Sequence, residues 1–358
     1  MKTNVLRTLV FLCLLAPSVA FAQQSSAVRP VHTFSIVARD PQTGDLGVAV
    51  QSHWFAVGAE VTWAEAGVGA IATQSFIDPG YGQLGLDLLR AGKSANEALR
   101  ALLAVDPHAD SRQVAIVDSH GNVACFTGAK DTPEAGCAVG KLRAMAGSKN
   151  SLADRAMDET AKKLGLQIYL GADFSAQANL MEKNTVWPAM AHAYEENSHA
   201  SFAERLVAAL EAAQGQGGDI RGKQSAAILI VRGKSTGQPW ADKIVDLRVD
   251  DAEEPIKELK RLLKYHEAYE YMERGDACST NRDWKCAAEK LLPEQMEVVF
   301  WHAVTLVTSG DVEAALPLFR KVFAKEPKWA ELAGRLPKAE LLPDDPKLIE
   351  RIKAQLPK

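Results

Sequence analysis

Two short runs near the start of the chain alternate apolar and polar residues. They span 33–39 and 45–51 and are rich in Val, Ile and Phe. A period of two predicts half-buried strands, and the intervening Asp-Pro-Gln-Thr-Gly-Asp at 40–45 predicts the turn that joins them. A third, glycine-rich apolar run at 66–75 reads as another strand, broken by Asp-Pro-Gly-Tyr-Gly. Helical periodicity follows over 81–91 and 94–105, with Ser94 as N-cap and Glu97 three residues on, a capping box. Residues 112–118 and 122–127 predict a hairpin turning at Ser119-His120-Gly121. Two more helices are expected over 185–197 and 201–214, then strands at 224–233 and 243–250.

Strands, two helices, strands, two helices, strands: that order suits mostly antiparallel sheets with helices on both outer faces. The expected fold is α+β, a four-layer α/β/β/α sandwich over 33–250. Residues 141–171 break the rhythm. Ser151 and Gly165 cap a helix there, and the segment reads as an inserted element. After the acidic, Pro-ended segment 250–255 the chain is helical to its end. Gly310, Ala315, Phe319 and Pro327 sit at the turn, packing and terminating offsets of a tetratricopeptide-like repeat, so 256–358 is expected to be a small all-α helical-repeat domain. Pro317 falls inside its second helix.

The first 22 residues have Lys2 and Arg7, then an apolar run, then Ala20-Phe21-Ala22. This is a signal-peptide pattern, too short for a membrane span. The expected product is periplasmic or secreted, starts near Gln23 with a short arm over 23–32, and has no later membrane span. The formal charge of the 358-residue chain is −4, and losing Lys2 and Arg7 makes it more acidic. Such a balance disfavours nucleic acid and gives no basic footprint for anionic lipid. Four cysteines remain beyond the leader. In an oxidising compartment they predict disulfides, most simply Cys125–Cys137 and Cys278–Cys286. Their spacing lacks C-x-x-C and clustered histidines, so no metal is expected. Glycines 67, 69, 80, 82 and 85 lack the lysine ending of a phosphate loop, and no cofactor is implied.

Hydroxyls and amides gather at strand ends. Gln51-Ser52 and Gln74-Ser75 each end an expected strand, and Gln224-Ser225 starts one. With Thr33, Ser35, Arg39, Asp219 and Arg221 they could line one cleft for a small amide-like ligand. Equally, they could satisfy backbone groups at sheet ends, and Asp219–Arg221 could be an ion pair shaping a turn. His53 and Trp54 follow the second strand. Trp63, Trp187 and Trp301 are expected in the core.

The stretches "HTFSIVARDPQTGDLGVAVQSHWFAVG", "WAEAGVGAIATQSFIDPGYGQLGLDLLRAG", "QANLM", "NTVWPAMA" and "GGDIRGKQSAA" resemble the bacterial family called domain of unknown function number 1028. That family is similar in fold to the N-terminal-nucleophile (Ntn) hydrolases, and the resemblance covers about 30–250. The tail resembles a helical extension of some members, catalogued under peptidoglycan binding. The resemblance implies the same sandwich. In Ntn hydrolases a Thr, Ser or Cys opening the first strand attacks the substrate and its own α-amine is the base, because a hydroxyl alone is a poor nucleophile. Thr33 stands at the matching place.

Two departures matter. The proteasome-type threonine version places a lysine beside its threonine, but no lysine lies between Lys2 and Lys93 here, which leaves Arg39 or Arg221 as the electropositive neighbour. Cleavage near Ala22 leaves the arm ahead of Thr33, whose nitrogen is then an amide. The chain is accordingly expected to stay whole from Gln23, with Asp219 as the nearest alternative base. Two function classes stand: an exported amidohydrolase of Ntn type, and a non-catalytic periplasmic binding module whose helical tail contacts peptidoglycan or a protein. Monomer and homo-oligomer both stay open.

Overall fold

A computed structural model describes residues 33–131, 134–141, 168–277 and 288–357. The leader, the arm at 23–32, most of the expected insert and the Cys278–Cys286 pair lie outside the described residues.

Strands β1 (Thr33–Arg39) and β2 (Leu46–Ser52) form the expected hairpin, in register from Thr33↔Ser52 to Arg39↔Leu46. Then come α1 (Val57–Val61), β3 (Thr62–Glu65) and β4 (Gly69–Ser75). Helices α2 (Gly80–Arg90) and α3 (Ala95–Val105) follow, and both halves of the Ser94/Glu97 capping box are formed. The hairpin β5 (Arg112–Asp118) and β6 (Asn122–Thr127) has its expected bounds. Three short strands come next: β7 (Gly136–Val139), β8 (Ile168–Ala172) and β9 (Phe174–Ala178). Helices α4 (Val186–Glu196) and α5 (Phe202–Gly215) lead to β10 (Ser225–Val231) and β11 (Lys243–Val249).

The strands make two antiparallel sheets. Sheet one has the order β11-β10-β2-β1-β9-β7, and sheet two has β3-β4-β5-β6-β8. Alternation assigns each face. Val37, Val48 and Val50 of sheet one meet Ala70, Ala72, Ala115 and Val117 of sheet two, a core of small side chains between the sheets. Phe34, Ile36 and Ala49 face the other way, onto Met190, Leu206 and Leu210 of α4 and α5. Sheet two turns Ile71, Val114 and Ile116 onto Leu86, Leu99 and Leu103 of α2 and α3. The result is a mixed α+β fold with a helix layer outside each sheet. Gly82 and Gly85 have a packing role: a Cβ at either would collide with Trp63 or Ile71 under α2.

The structure redraws two sequence expectations. Residues 168–171, assigned to the insert, belong to β8 and pair with β6. The acidic segment at 250–255 is followed by α6 (Pro255–Ala277), whose Ile256, Leu259 and Leu263 are buried in the core shared by α4, α5 and sheet one. Thus the first turns of α6 extend the helix layer. The C-terminal helical region holds α7 (Met296–Thr308), α8 (Val312–Lys325), α9 (Trp329–Ala333) and α10 (Pro346–Lys353). Phe300, Phe319 and Phe323 fill their common core. Gly310 makes the tight α7–α8 turn at φ +84°. Among the described residues, no helix is long and apolar enough to cross a membrane.

Cys125 of β6 and Cys137 of β7 form a disulfide, with Cα atoms 6.7 Å apart, joining sheet two to sheet one. Closing this short loop restricts the unfolded chain, so Cys137→Ser is expected to cost about 3 kcal/mol. Denaturant unfolding of wild type and variant, each with and without reductant, checks this. If reductant leaves the wild-type midpoint unmoved, the bond contributes nothing.

Candidate functional site

Thr33 opens β1 with its backbone already committed. Its N–H donates to Asn179 Oδ1 at 3.3 Å, and its carbonyl accepts from Gln74 Nε2 at 3.2 Å and Asn179 N at 3.1 Å. Register sets Thr33, Ser52 and Ser225 side by side across β1, β2 and β10, all fully buried. Two residues along, Ser35 Oγ donates to Gln74 Oε1 at 2.5 Å and accepts from Gln177 Nε2 at 2.7 Å. Gln177 Oε1 in turn accepts from Ser175 Oγ at 2.9 Å.

Gln113 of β5 is the hub. Its Oε1 accepts from Gln74 Nε2 at 2.6 Å and Asn179 Nδ2 at 2.8 Å. Its Nε2 shares its protons among Thr127 Oγ1 at 2.9 Å, the Ala178 carbonyl at 2.9 Å and the Gly136 carbonyl at 3.3 Å. Ser35, Gln74, Gln113, Ser175, Gln177 and Asn179 have no exposed surface. At this end of the sandwich the sheets are therefore joined by a polar network whose members satisfy one another, as buried amides must.

The network reaches a cavity of about 680 Å³. Thr127 and Gly136 are shared by both, and Asp131, Cys137, Tyr169 and Trp187 also line it. Asp131 is the unusual member. Its Oδ1 accepts from Ser75 Oγ in a close contact, while its buried Oδ2 has no hydrogen-bond partner among the described residues. Burial pushes its pKa up to about 6, against the lowering effects of the Ser75 hydroxyl and the Gly128 backbone. Ser75 is brought there by a left-handed backbone, φ +70°, where β4 ends. The other two lining aspartates have cations. Asp106 meets Arg112 at 2.7 Å and Asp110 meets Lys130 at 2.6 Å.

The expected cleft is only partly assembled. Thr33, Ser35, Ser52, Gln74 and Ser225 face the space between the sheets. Ser225, however, donates to the Trp54 carbonyl and accepts from Val57 N at 3.1 Å, anchoring the loop after β2. Gln51 belongs elsewhere. Its register neighbours Phe34 and Ala226 face the helix layer, and so does Gln51. Gln224 reaches outward to Asp251 Oδ1 at 3.2 Å.

Arg39 is at the far end of β1, six residues from Thr33, or roughly 20 Å at the strand rise. Its Nε donates to the Ser119 carbonyl at 2.9 Å, so it gives Thr33 no electropositive neighbour. Asp219 is fully engaged. Oδ1 accepts from Arg221 N at 2.9 Å and Arg221 Nε at 3.1 Å, and Oδ2 from Arg221 Nη2 at 2.7 Å and His53 N at 3.1 Å. That geometry shapes a turn and stitches it to the end of β2. His53 is exposed, its ring 3.4 Å from the Lys223 carbonyl. Trp187 is half-buried and walls the cavity as well as packing on the helix-side core.

Against known proteins, the chain belongs to a family of unknown function, DUF1028, whose model matches residues 33–164 and 158–259. The crystal structure of protein SPO2555 from Silicibacter pomeroyi, of the same family, is similar to it. That relative is 28% identical, with a TM-score of 0.50 over 65% of this chain and 88% of its own. No curated protein matches.

Proposed function

We propose that this is an exported protein with the Ntn-hydrolase sandwich that hydrolyses a small amide or peptide-like bond at the Thr33 end of its sheets. The observation that carries the reading is the shell around Thr33. A fully buried set of side-chain amides and hydroxyls is costly to desolvate, and a core between two sheets does not need one. It is concentrated where β1 and the family match both begin. In this reading Thr33 Oγ attacks the amide carbonyl and its proton passes to the Thr33 nitrogen. The amine leaves with that proton, and water then cleaves the acyl ester.

The route requires that nitrogen to be an amine. The proposal therefore commits to opening of the His32–Thr33 bond, contrary to the uncut chain expected from the short arm. Asn179 Oδ1, which now holds the Thr33 N–H, is the acceptor that would orient the freed amine.

A second reading, the non-catalytic binding module, draws on a different observation: with the chain whole, Asp219 has no oxygen left to act as base. The helical region from α7 onward, with Ala315 and Phe319 buried beside the Gly310 turn, suits a tetratricopeptide-like unit that contacts cell wall or protein. N-terminal sequencing, intact mass and hydrolysis of an amide library by wild type and Thr33→Ala separate the two. The expected result is a mature N-terminus at Thr33 and activity lost in the variant. A chain whole from Gln23 that binds amides without cutting them would leave the binding module.

A further inference from the structure

We propose that the cavity beside the network selects ligands carrying a cationic nitrogen, an ammonium or amidinium, through the free oxygen of Asp131, with Tyr169 and Trp187 as its aromatic walls. The proposal rests on the amide-ligand reading above and names the class of amide.

Three observations converge on it. First, Oδ2 is a buried acceptor with no donor among the described residues, and such an atom costs free energy until something donates to it. Second, the charges around it are already assigned. Arg112 pairs with Asp106 and Lys130 with Asp110, whereas Asp131 meets the Ser75 hydroxyl and the Gly128 backbone and, among the described residues, no cation. A cation from outside would complete the set. Third, the remaining cavity groups suit such a guest. The Gly136 carbonyl and Thr127 hydroxyl can accept further N–H groups, and the lining contains three aromatic rings, those of Phe126, Tyr169 and Trp187, of a kind that attracts cations. No lysine or arginine lines the cavity among the described residues. An anionic ligand would meet a carboxylate that no described cation offsets, and a neutral one would leave its charge uncompensated.

Benzamidine and its neutral counterpart benzamide are suitable probes. Titration calorimetry uses the full chain carrying Thr33→Ala, so that absence of hydrolysis has no bearing on the outcome. Benzamidine is expected to bind at least tenfold more tightly than benzamide. Asp131→Asn in the same background should erase the difference. Ser75→Ala, which keeps the carboxylate, should preserve it even if the asparagine variant folds poorly. Equal affinities, no binding of either probe, or an unchanged preference in Asp131→Asn would overturn the assignment. The Thr33 reading fails on different evidence, a mature chain that begins upstream and hydrolyses nothing.

Discussion

Replacing Gln113 with leucine is expected to destabilise the protein by about 3–5 kcal/mol, among the largest effects of any single substitution away from the apolar core. Leucine fills much of the same volume, so the cost is not a cavity. It comes from the partners left behind. Asn179 Nδ2 loses its acceptor, Gln74 Nε2 loses its shorter one, and the Ala178 and Gly136 carbonyls lose a donor. Asn179, Gln74 and the Ala178 carbonyl lie where water does not readily reach, whereas the Gly136 carbonyl borders the cavity, and an unsatisfied buried group costs about 1–3 kcal/mol. Some relaxation is expected: Gln74 keeps the Thr33 carbonyl at 3.2 Å. Urea unfolding of the two proteins measures the loss. A change below about 1 kcal/mol would mean that the network repairs itself or is hydrated. A double-mutant cycle with Asn179→Leu adds a sharper check, because residues sharing a network are coupled and the two losses should fall short of additivity.

Much of the sandwich was legible because its longer elements obey simple periods. Strands β1, β5 and β6 have the expected bounds, and α2 to α5 lie within about a residue of them. What was missed is short and built from small residues. β9 reads Phe-Ser-Ala-Gln-Ala, which does alternate, but over only five residues with two alanines as its apolar positions, and Ser175 and Gln177 are buried in the network rather than turned to solvent. β8 pairs with β6 across a gap in sequence that resembled an insertion. The five-residue helix α1 is too short for a periodic signal.

The site was legible to a lesser degree, and one error was avoidable. Successive strand residues point to opposite faces, so a Gln-Ser pair inside a strand cannot line one cleft with both members. Gln51 and Ser52 obey that rule and diverge. Gln74 and Ser75 turn to different partners as well, one into the network and one to Asp131. Gln113 could have been noticed as the uncharged polar residue adjoining the apolar run Val-Ala-Ile-Val, and Gln177 and Asn179 lie in a stretch already quoted for its family likeness. Asp131 offered no such sign. In Gly-Ala-Lys-Asp-Thr-Pro it reads as a solvated loop residue, and its burial arises only when the end of β6 folds against Ser75.

That burial leads to a second large effect, of opposite sign. Asp131→Asn is expected to stabilise the protein by about 2–3 kcal/mol at pH 7.5 and to change little at pH 4. The folded state raises this carboxyl from its usual 3.8 to about 6, with desolvation the main cause. Between those values the folded chain holds a proton that the unfolded chain has released. Stability therefore falls as pH rises through this window, and above about pH 6 the full penalty of an ionised, buried carboxylate is present. A shift of this size corresponds to about 3 kcal/mol, somewhat less once the asparagine N–H left without an acceptor is allowed for. Guanidinium unfolding of both proteins at pH 4 and pH 7.5 decides the matter. A difference that is the same at both pH values would show that Asp131 does not titrate out of its normal range. A gain confined to neutral pH, together with loss of the benzamidine preference, would mean that the fold tolerates an unfavourable charge at this position because a ligand cation offsets it.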